Sequence, residues 1–459
     1  MSTAVKGLRK RDVDMTSGST VRHLIKFAFP LLLGNLFQQL YNMVDTWVLG
    51  NFGKGEAFSA VGLTGPIINM LIGFFSGLAS GAGVVISQYY GARDEEKVSR
   101  AVHTSIVLTL ILGVIFTALG IFMVPYLLDL MKTPDSVKPQ SVTYLTVYFA
   151  GIMGLMIYNM GSGILRAVGD SKRPVYFLII SALINTVLDL VFVIYFGWDV
   201  FGVALATVIA QGVSAILIII TLLRTGGVVK LSFKKLKMSF DLASKIIRIG
   251  IPAALQLAIT SFSNIFVQSY INYFGEDFMS GWTAYSKIDQ FLLLPMQSIA
   301  LASTTFVGQN LGKCQEKRAK GGIRWAIALS VVITAILMLP VMLFAPYLVK
   351  FLNPKEEVVL CGAMLLRLIS PFYVLCCINQ ILAGALRGSG NTRAPMIMML
   401  FSFVFFRQLY LFIVANYISN TPTYIAMAYP AGWLVATFIL FIYYYFTDFS
   451  SKIITKEKK

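Results

Sequence analysis

Three acidic residues, Asp45, Asp189 and Asp289, lie inside long apolar runs of the chain. A carboxylate taken out of water is costly unless it meets a cation, a proton or a donor, so acids in such places point to function. Two of them have polar company at helical spacing. Asn35, Gln38, Asn42 and Asp45 follow at intervals of 3, 4 and 3, which puts all four on one helical face with Tyr41 beside them. Asn185 and Asp189 stand four apart, as do Thr207 and Gln211. Two carboxylates, a carboxamide and a hydroxyl from three separate segments could thus meet at one small site. Their oxygens suit a hard monovalent cation; equally, paired carboxylates in low dielectric could hold a proton. For Asn35, Gln38 and Gln211 the plain alternative is hydrogen bonding between helices.

The elements that must position these groups are membrane-spanning helices. Of the 459 residues 57% are hydrophobic and only 13% charged, against about 25% charged in soluble domains. Apolar stretches long enough to cross a bilayer recur along the whole chain, too long and too continuous for the alternating strands of a barrel. Twelve spans are read at 24–49, 57–86, 101–129, 141–165, 175–196, 200–223, 246–274, 283–306, 322–350, 359–386, 395–417 and 423–447.

Charge placement gives an orientation. The net charge of +17 would suit nucleic-acid binding, but Lys and Arg crowd into alternate connections instead. One side holds nearly all of them; the other has Lys54, Lys132, Lys138, Lys350 and Lys355, while Lys287, Arg367 and Arg407 lie within spans. That bias predicts both termini on the cytoplasmic side, with the bilayer and its anionic lipids as partner and no nucleic acid. No secretory signal peptide is read at the start of the chain. Cys314, Cys361, Cys376 and Cys377 form no C-x-x-C pair, and His23 and His103 stand alone, so neither a cofactor nor a structural metal is expected. No His cluster, serine triad or metal spacing supports an enzyme.

The chain repeats itself at an offset of 221–222. Leu165-Arg166-Ala167-Val168-Gly169-Asp170-Ser171-Lys172-Arg173-Pro174 falls on Leu386-Arg387-Gly388-Ser389-Gly390-Asn391-Thr392-Arg393-Ala394-Pro395. Gln88 falls on Gln309, Pro125-Tyr126 on Pro346-Tyr347, and Pro30 on Pro252. The expected fold is an all-α membrane protein of two six-helix lobes related by a pseudo-two-fold axis along the membrane normal. The expected organisation is an N-terminal arm over 1–23, an N-lobe over 24–223, a linker over 224–245, a C-lobe over 246–447 and a tail over 448–459. Leu231-Ser232-Phe233-Lys234-Lys235-Leu236-Lys237-Met238 mixes apolar and basic residues, as an interfacial amphipathic segment does. In transporters built from parallel repeats the substrate path lies between the halves.

The second half does not copy the acids. Gln256, Thr260, Asn264 and Gln268 keep the polar stripe, with Asn264 opposite Asn42, yet Asp45 falls on Val267 and Asp189 on Tyr410. Asp289 could line a cavity or neutralise Arg407. Gln38, Tyr41, Asn42, Gln211, Gln256, Asn264 and Asp289 are the candidate substrate-cavity residues.

Taken together, Tyr41-Asn42-Met43-Val44-Asp45, Ser87-Gln88-Tyr89-Tyr90-Gly91, Val307-Gly308-Gln309-Asn310-Leu311-Gly312 and the Leu-Arg loops at 165–174 and 386–395 resemble the MATE family of multidrug and toxic compound extrusion transporters, over essentially the whole chain. The resemblance implies a bacterial cytoplasmic-membrane antiporter that expels organic, cationic or amphipathic compounds in exchange for Na⁺ or H⁺ by alternating access, acting as a monomer. It also implies a cation-coupling site in the N-lobe, where an aspartate of helix 1 meets an Asn-x-x-x-Asp of helix 5 and a threonine of helix 6; Asp45, Asn185, Asp189 and Thr207 match that pattern. Members that place the site in the C-lobe use acids of helices 7 and 10, where this chain has Gln256, Thr260, Cys376 and Asn379. The alternative is a lipid-linked oligosaccharide flippase of the same superfamily, disfavoured by the few cations within spans. An ion channel is disfavoured by the lack of a filter-like sequence.

Overall fold

The computed structural model describes residues 14–52, 57–131 and 133–449, and within these the side chains of 41–43, 45–47, 50, 51, 58, 262 and 265 are not described. The described residues form helices and loops, with no strand among them. Its spans are α1 (Thr20–Phe52), α2 (Ala57–Gly91), α3 (Glu95–Leu130), α4 (Lys138–Ala150 continued by Ile152–Ala167), α5 (Lys172–Leu190, ending in a π-turn at Val191–Tyr195) and α6 (Asp199–Arg224). After a linker come α7 (Phe240–Asn272), α8 (Glu276–Gly312), α9 (Glu316–Leu343), α10 (Glu356–Ile369 continued through Ser370–Phe372 to Tyr373–Gly388), α11 (Arg393–Ile418, built of α and π stretches) and α12 (Pro422–Phe446).

Among the described residues ten of these helices are long and apolar enough to cross a membrane, and α4 makes an eleventh when its two arms are taken as one span. The remaining helix is α1, 33 residues long, at the place of the first expected span. The two arms of α4 meet at 47°. Gly151 sits at the bend, and a Cβ there would come within 2.3 Å of Val208, so α6 presses on the elbow where only glycine fits.

The chain divides into two compact units. One comprises Met1–Asp14 and Leu33–Ala254; the other comprises Met15–Leu32 and Leu255–Lys459. Each long helix that opens a half, α1 and α7, therefore contributes to both units. Pro30 and Pro252 lie inside these two helices, close to the points where each passes from one unit to the other.

The duplication extends to backbone conformation. Gly169 and Gly390 both take φ of +90°, and Arg93 and Cys314 are both left-handed at +63° and +59°, each pair 221 apart. Packing repeats as well. In the first unit a Cβ on Gly163 of α4 would lie 2.8 Å from the carbonyl oxygen of Ala79 in α2; in the second, Gly384 of α10 stands at 2.8 Å from that of Ala300 in α8. Close backbone approach at small residues is how helices associate where no water drives them together.

The linker is largely non-helical. Residues 225–239 carry a single 3₁₀ turn at Phe233–Lys235. Leu231 and Val229 are buried while Phe233 is exposed, so the segment packs part of its apolar content onto its own unit. His103 of α3 holds it: the ring Nε2 accepts the Ser232 N–H at 3.0 Å and Nδ1 faces the Ser99 carbonyl at 2.7 Å. Thr104 accepts the Ser239 N–H at 3.1 Å.

Candidate ion and substrate sites

In the first unit the polar stripe of α5 is Ser181, Asn185 and Asp189, at four-residue intervals, and all three are buried. Ser181 Oγ donates to the Ala210 carbonyl of α6 at 2.6 Å, which fixes the register of these two consecutive, antiparallel helices. Moving four residues along α5 corresponds to moving back about one turn along α6. Asn185 therefore stands at the level of Thr207, and Asp189 one turn further, at the level of Val203. Thr207 is buried and returns its hydroxyl proton to the Val203 carbonyl at 3.0 Å, leaving its oxygen lone pairs available.

Asn185 is 1% exposed, and among the described residues neither Oδ1 nor Nδ2 has a hydrogen-bond partner. An orphaned buried carboxamide costs about 1–3 kcal/mol, so its persistence beside a buried carboxylate calls for an explanation. Ligation supplies one: Asn185 Oδ1, the Asp189 carboxylate and Thr207 Oγ1 are the oxygen donors a hard cation takes. Helix α1 packs on α5 at Gly34, where a Cβ would lie 2.9 Å from Val175. Position 45 is eleven residues beyond Gly34; Asn185 and Asp189 are ten and fourteen beyond Val175. Both are odd-numbered spans and run the same way, so the three positions share one level. The side chains of Asp45, Tyr41 and Asn42 lie outside the described residues. Gln38 is half-buried. Gln211 points elsewhere, its Nε2 lying 3.5 Å from Tyr148 Oη of α4.

The second unit gathers a different set. Asp289 of α8 accepts a short hydrogen bond from Tyr373 of α10, whose hydroxyl lies 3.5 Å from that of Tyr285. It does not neutralise Arg407. That guanidinium instead donates to Asn264 Oδ1 at 2.8 Å and Ser263 Oγ at 3.1 Å, and lies 4.9 Å from the centre of the Tyr429 ring. Gln256 is buried against Met399, with Nε2 3.0 Å from Sδ. Asn379 of α10 is fully buried, and among the described residues both its amide atoms lack partners. Sequence reasoning missed the grip of Tyr373 on Asp289, because nothing local links residues 84 positions apart. Tyr285, four residues before Asp289, was legible as a same-face neighbour.

Comparison with known proteins agrees with this architecture. The MatE family profile matches residues 30–191 and again 252–413, once per half. Bacillus subtilis has two similar proteins. The probable multidrug resistance protein YpnP is 28% identical over 97% of this chain and 99% of its own length. The probable multidrug resistance protein YoeA is 29% identical over 93% of this chain and 94% of its own. A solved MOP superfamily transporter from Pyrococcus furiosus superposes with a TM-score of 0.90 at 24% identity, covering 95% of this chain and 98% of that one, and so shares the fold.

The two matches also refine the internal register. They start at 30 and 252 and end at 191 and 413, an offset of 222 at both ends, whereas the loop glycines Gly169 and Gly390 are 221 apart. The second half is thus one residue shorter before these glycines and one residue longer after them. The π-turn at Phe401–Phe406 in α11 has no counterpart in α5, and an i→i+5 turn takes up one residue more than an α-turn. Past it, Asp189 falls on Leu411 rather than Tyr410, and Asn185 falls on Arg407. The chain belongs to the MatE family of membrane transporters.

Proposed function

We propose that this transporter exports organic, cationic or amphipathic compounds from a bacterial cytoplasm in exchange for Na⁺ or H⁺, working as a monomer by alternating access. The observation that carries the reading is the buried group of Asn185, Asp189 and Thr207, whose carboxamide has no protein partner and whose oxygens suit a cation or a proton carrier. Asp45 is assigned to the same site by its level on α1. The two relatives, each named a probable multidrug resistance protein, support export of varied compounds over an oligosaccharide flippase. Gln38, Tyr41, Asn42, Gln211, Gln256, Asn264 and Asp289 are assigned to substrate contact, with both termini in the cytoplasm.

Binding the cation favours the conformation with higher affinity for it, and only that difference in affinity drives the exchange. The test is ethidium efflux from proteoliposomes under separately imposed pH and sodium gradients. Asp45→Asn and Asp189→Asn are each expected to abolish gradient-driven efflux. If both variants transport as the native chain does, the coupling site is wrong.

A further inference from the structure

Among the described residues, the second unit carries a buried cation with no acid at ion-pair distance. Arg407 is 4% exposed. Among the described residues its partners are neutral: Asn264 Oδ1, Ser263 Oγ and the face of Tyr429, and its Nε has no acceptor. Ser263 is already engaged, its hydroxyl donating to the Phe403 carbonyl at 3.2 Å and accepting from Gln408 Nε2 at 3.2 Å. Neutral acceptors satisfy some guanidinium protons but leave the charge uncompensated. Inside a protein a structural charge is paired or neutralised; a lone one marks a place where a counter-charge arrives.

Three further observations give the site its character. The π-turn Phe401–Phe406 ends at the residue before Arg407, and such turns recur at functional sites because they re-aim the side chains that follow. Asn264 is exposed although it lies within α7, and an exposed amide within a span belongs against water rather than lipid. Aromatic rings extend from the guanidinium: Tyr429 lies 5.5 Å from Trp282 and 6.3 Å from Trp433, and Trp433 lies 5.4 Å from Tyr373. The positive centre thus sits at the end of an aromatic wall.

We infer that Arg407, with Asn264, forms an anion-binding site that takes a carboxylate carried on an aromatic body. In register, this site occupies the place that Asn185 holds in the first unit. The duplicated scaffold therefore presents oxygen ligands to a cation in one half and a guanidinium to an anion in the other. A substrate bearing a carboxylate, alone or as part of a zwitterion, would place it on Arg407 and its rings along Tyr429 and Trp433. The inference goes beyond the proposed export and does not depend on ion coupling at Asp189.

Equilibrium binding tests it without transport. Full-length protein in lipid nanodiscs is titrated calorimetrically with 2-naphthoate and with 1-naphthylmethylammonium, with empty nanodiscs as blank. Saturable naphthoate binding is expected. Arg407→Gln should weaken it about tenfold or more, since a charge-assisted contact is lost, and Arg407→Lys should keep part of it. Affinity for the ammonium should hold or rise in both variants. Unaltered naphthoate affinity in Arg407→Gln would overturn the assignment. So would displacement of naphthoate by chloride at equal potency, which would assign the site to inorganic anions. If Arg407→Gln does not fold, the native chain decides alone: no saturable naphthoate binding sinks the inference.

Discussion

Replacing Asn185 by leucine separates stability from function. The side chain is 1% exposed and both its polar atoms lack partners. In the cation-free protein this orphaned amide costs about 1–3 kcal/mol relative to an apolar group of similar size. Leucine removes that cost and adds little volume, so Asn185→Leu should be more stable than the native chain by about 1–2 kcal/mol once modest overpacking is subtracted. The native chain should recover ground when the site fills, because a ligand at a hundredfold excess over its Kd stabilises by about 2.7 kcal/mol. The variant should gain nothing. Thermal unfolding in detergent, with sodium chloride against choline chloride and across a pH series, measures both effects. The expected pattern is a raised and ion-insensitive midpoint together with lost gradient-driven efflux. A cation-free variant less stable than the native chain by about 1 kcal/mol or more would mean that packing satisfies Asn185. The case for ligation would then fail.

Two other outcomes follow from the geometry. Gly163→Leu and Gly384→Leu should each disrupt one unit, because even a Cβ would stand 2.8 Å from a neighbouring carbonyl oxygen; overpacking of this kind costs about 1–3 kcal/mol. The readout is monodisperse yield in detergent, and near-native yield for either variant would contradict the close crossing. At Lys355, the hydrogen bond that the ammonium donates to Asp277 raises its pKa above the ordinary value. A raised lysine pKa means any contribution is present at neutral pH and is lost only as pH climbs through the raised value. Lys355→Met should therefore leave the pH profile of efflux unchanged between about pH 6 and 8; a shift within that window would refute the sign.

The lobes, the repeat and the α5 stripe were legible because each leaves a local or periodic trace. Apolar runs of spanning length report helices directly, and four-residue spacing reports a shared face, so Asn185 and Asp189 could be placed together from sequence alone. The bend of α4 was not legible, because it depends on Val208 of another helix pressing on Gly151. Nor was the role of His103, an isolated residue in the sequence that becomes the anchor of the linker only when Ser232 is brought to it across 129 positions. The choice for Asp289 between lining a cavity and pairing with Arg407 could not be made from spacing. It turned on Tyr373, on a third helix, taking the carboxylate first.

The asymmetry between the halves has a small structural cause. A single added residue, absorbed as a π-turn in α11, rotates everything after it by roughly 100° relative to an uninterrupted α-helix. Without the π-turn, the same residues wound as an uninterrupted α-helix would put Phe406 on the stripe that carries Asn185 in α5, and Arg407 would turn away toward a neighbouring face. With it, Arg407 occupies the inward stripe, opposite Asn264, the register partner of Asn42. Substituting a guanidinium for a carboxamide alone would not have placed the charge there; the change of residue and the change of helical phase act together. Deleting one residue from Phe401–Phe406 leaves 16 residues from Gly390 to Arg407, the separation of Gly169 from Asn185, so an uninterrupted α-helix still carries Arg407 on the inward stripe and naphthoate binding should survive. A deletion variant that folds but no longer binds naphthoate would refute the argument from helical phase.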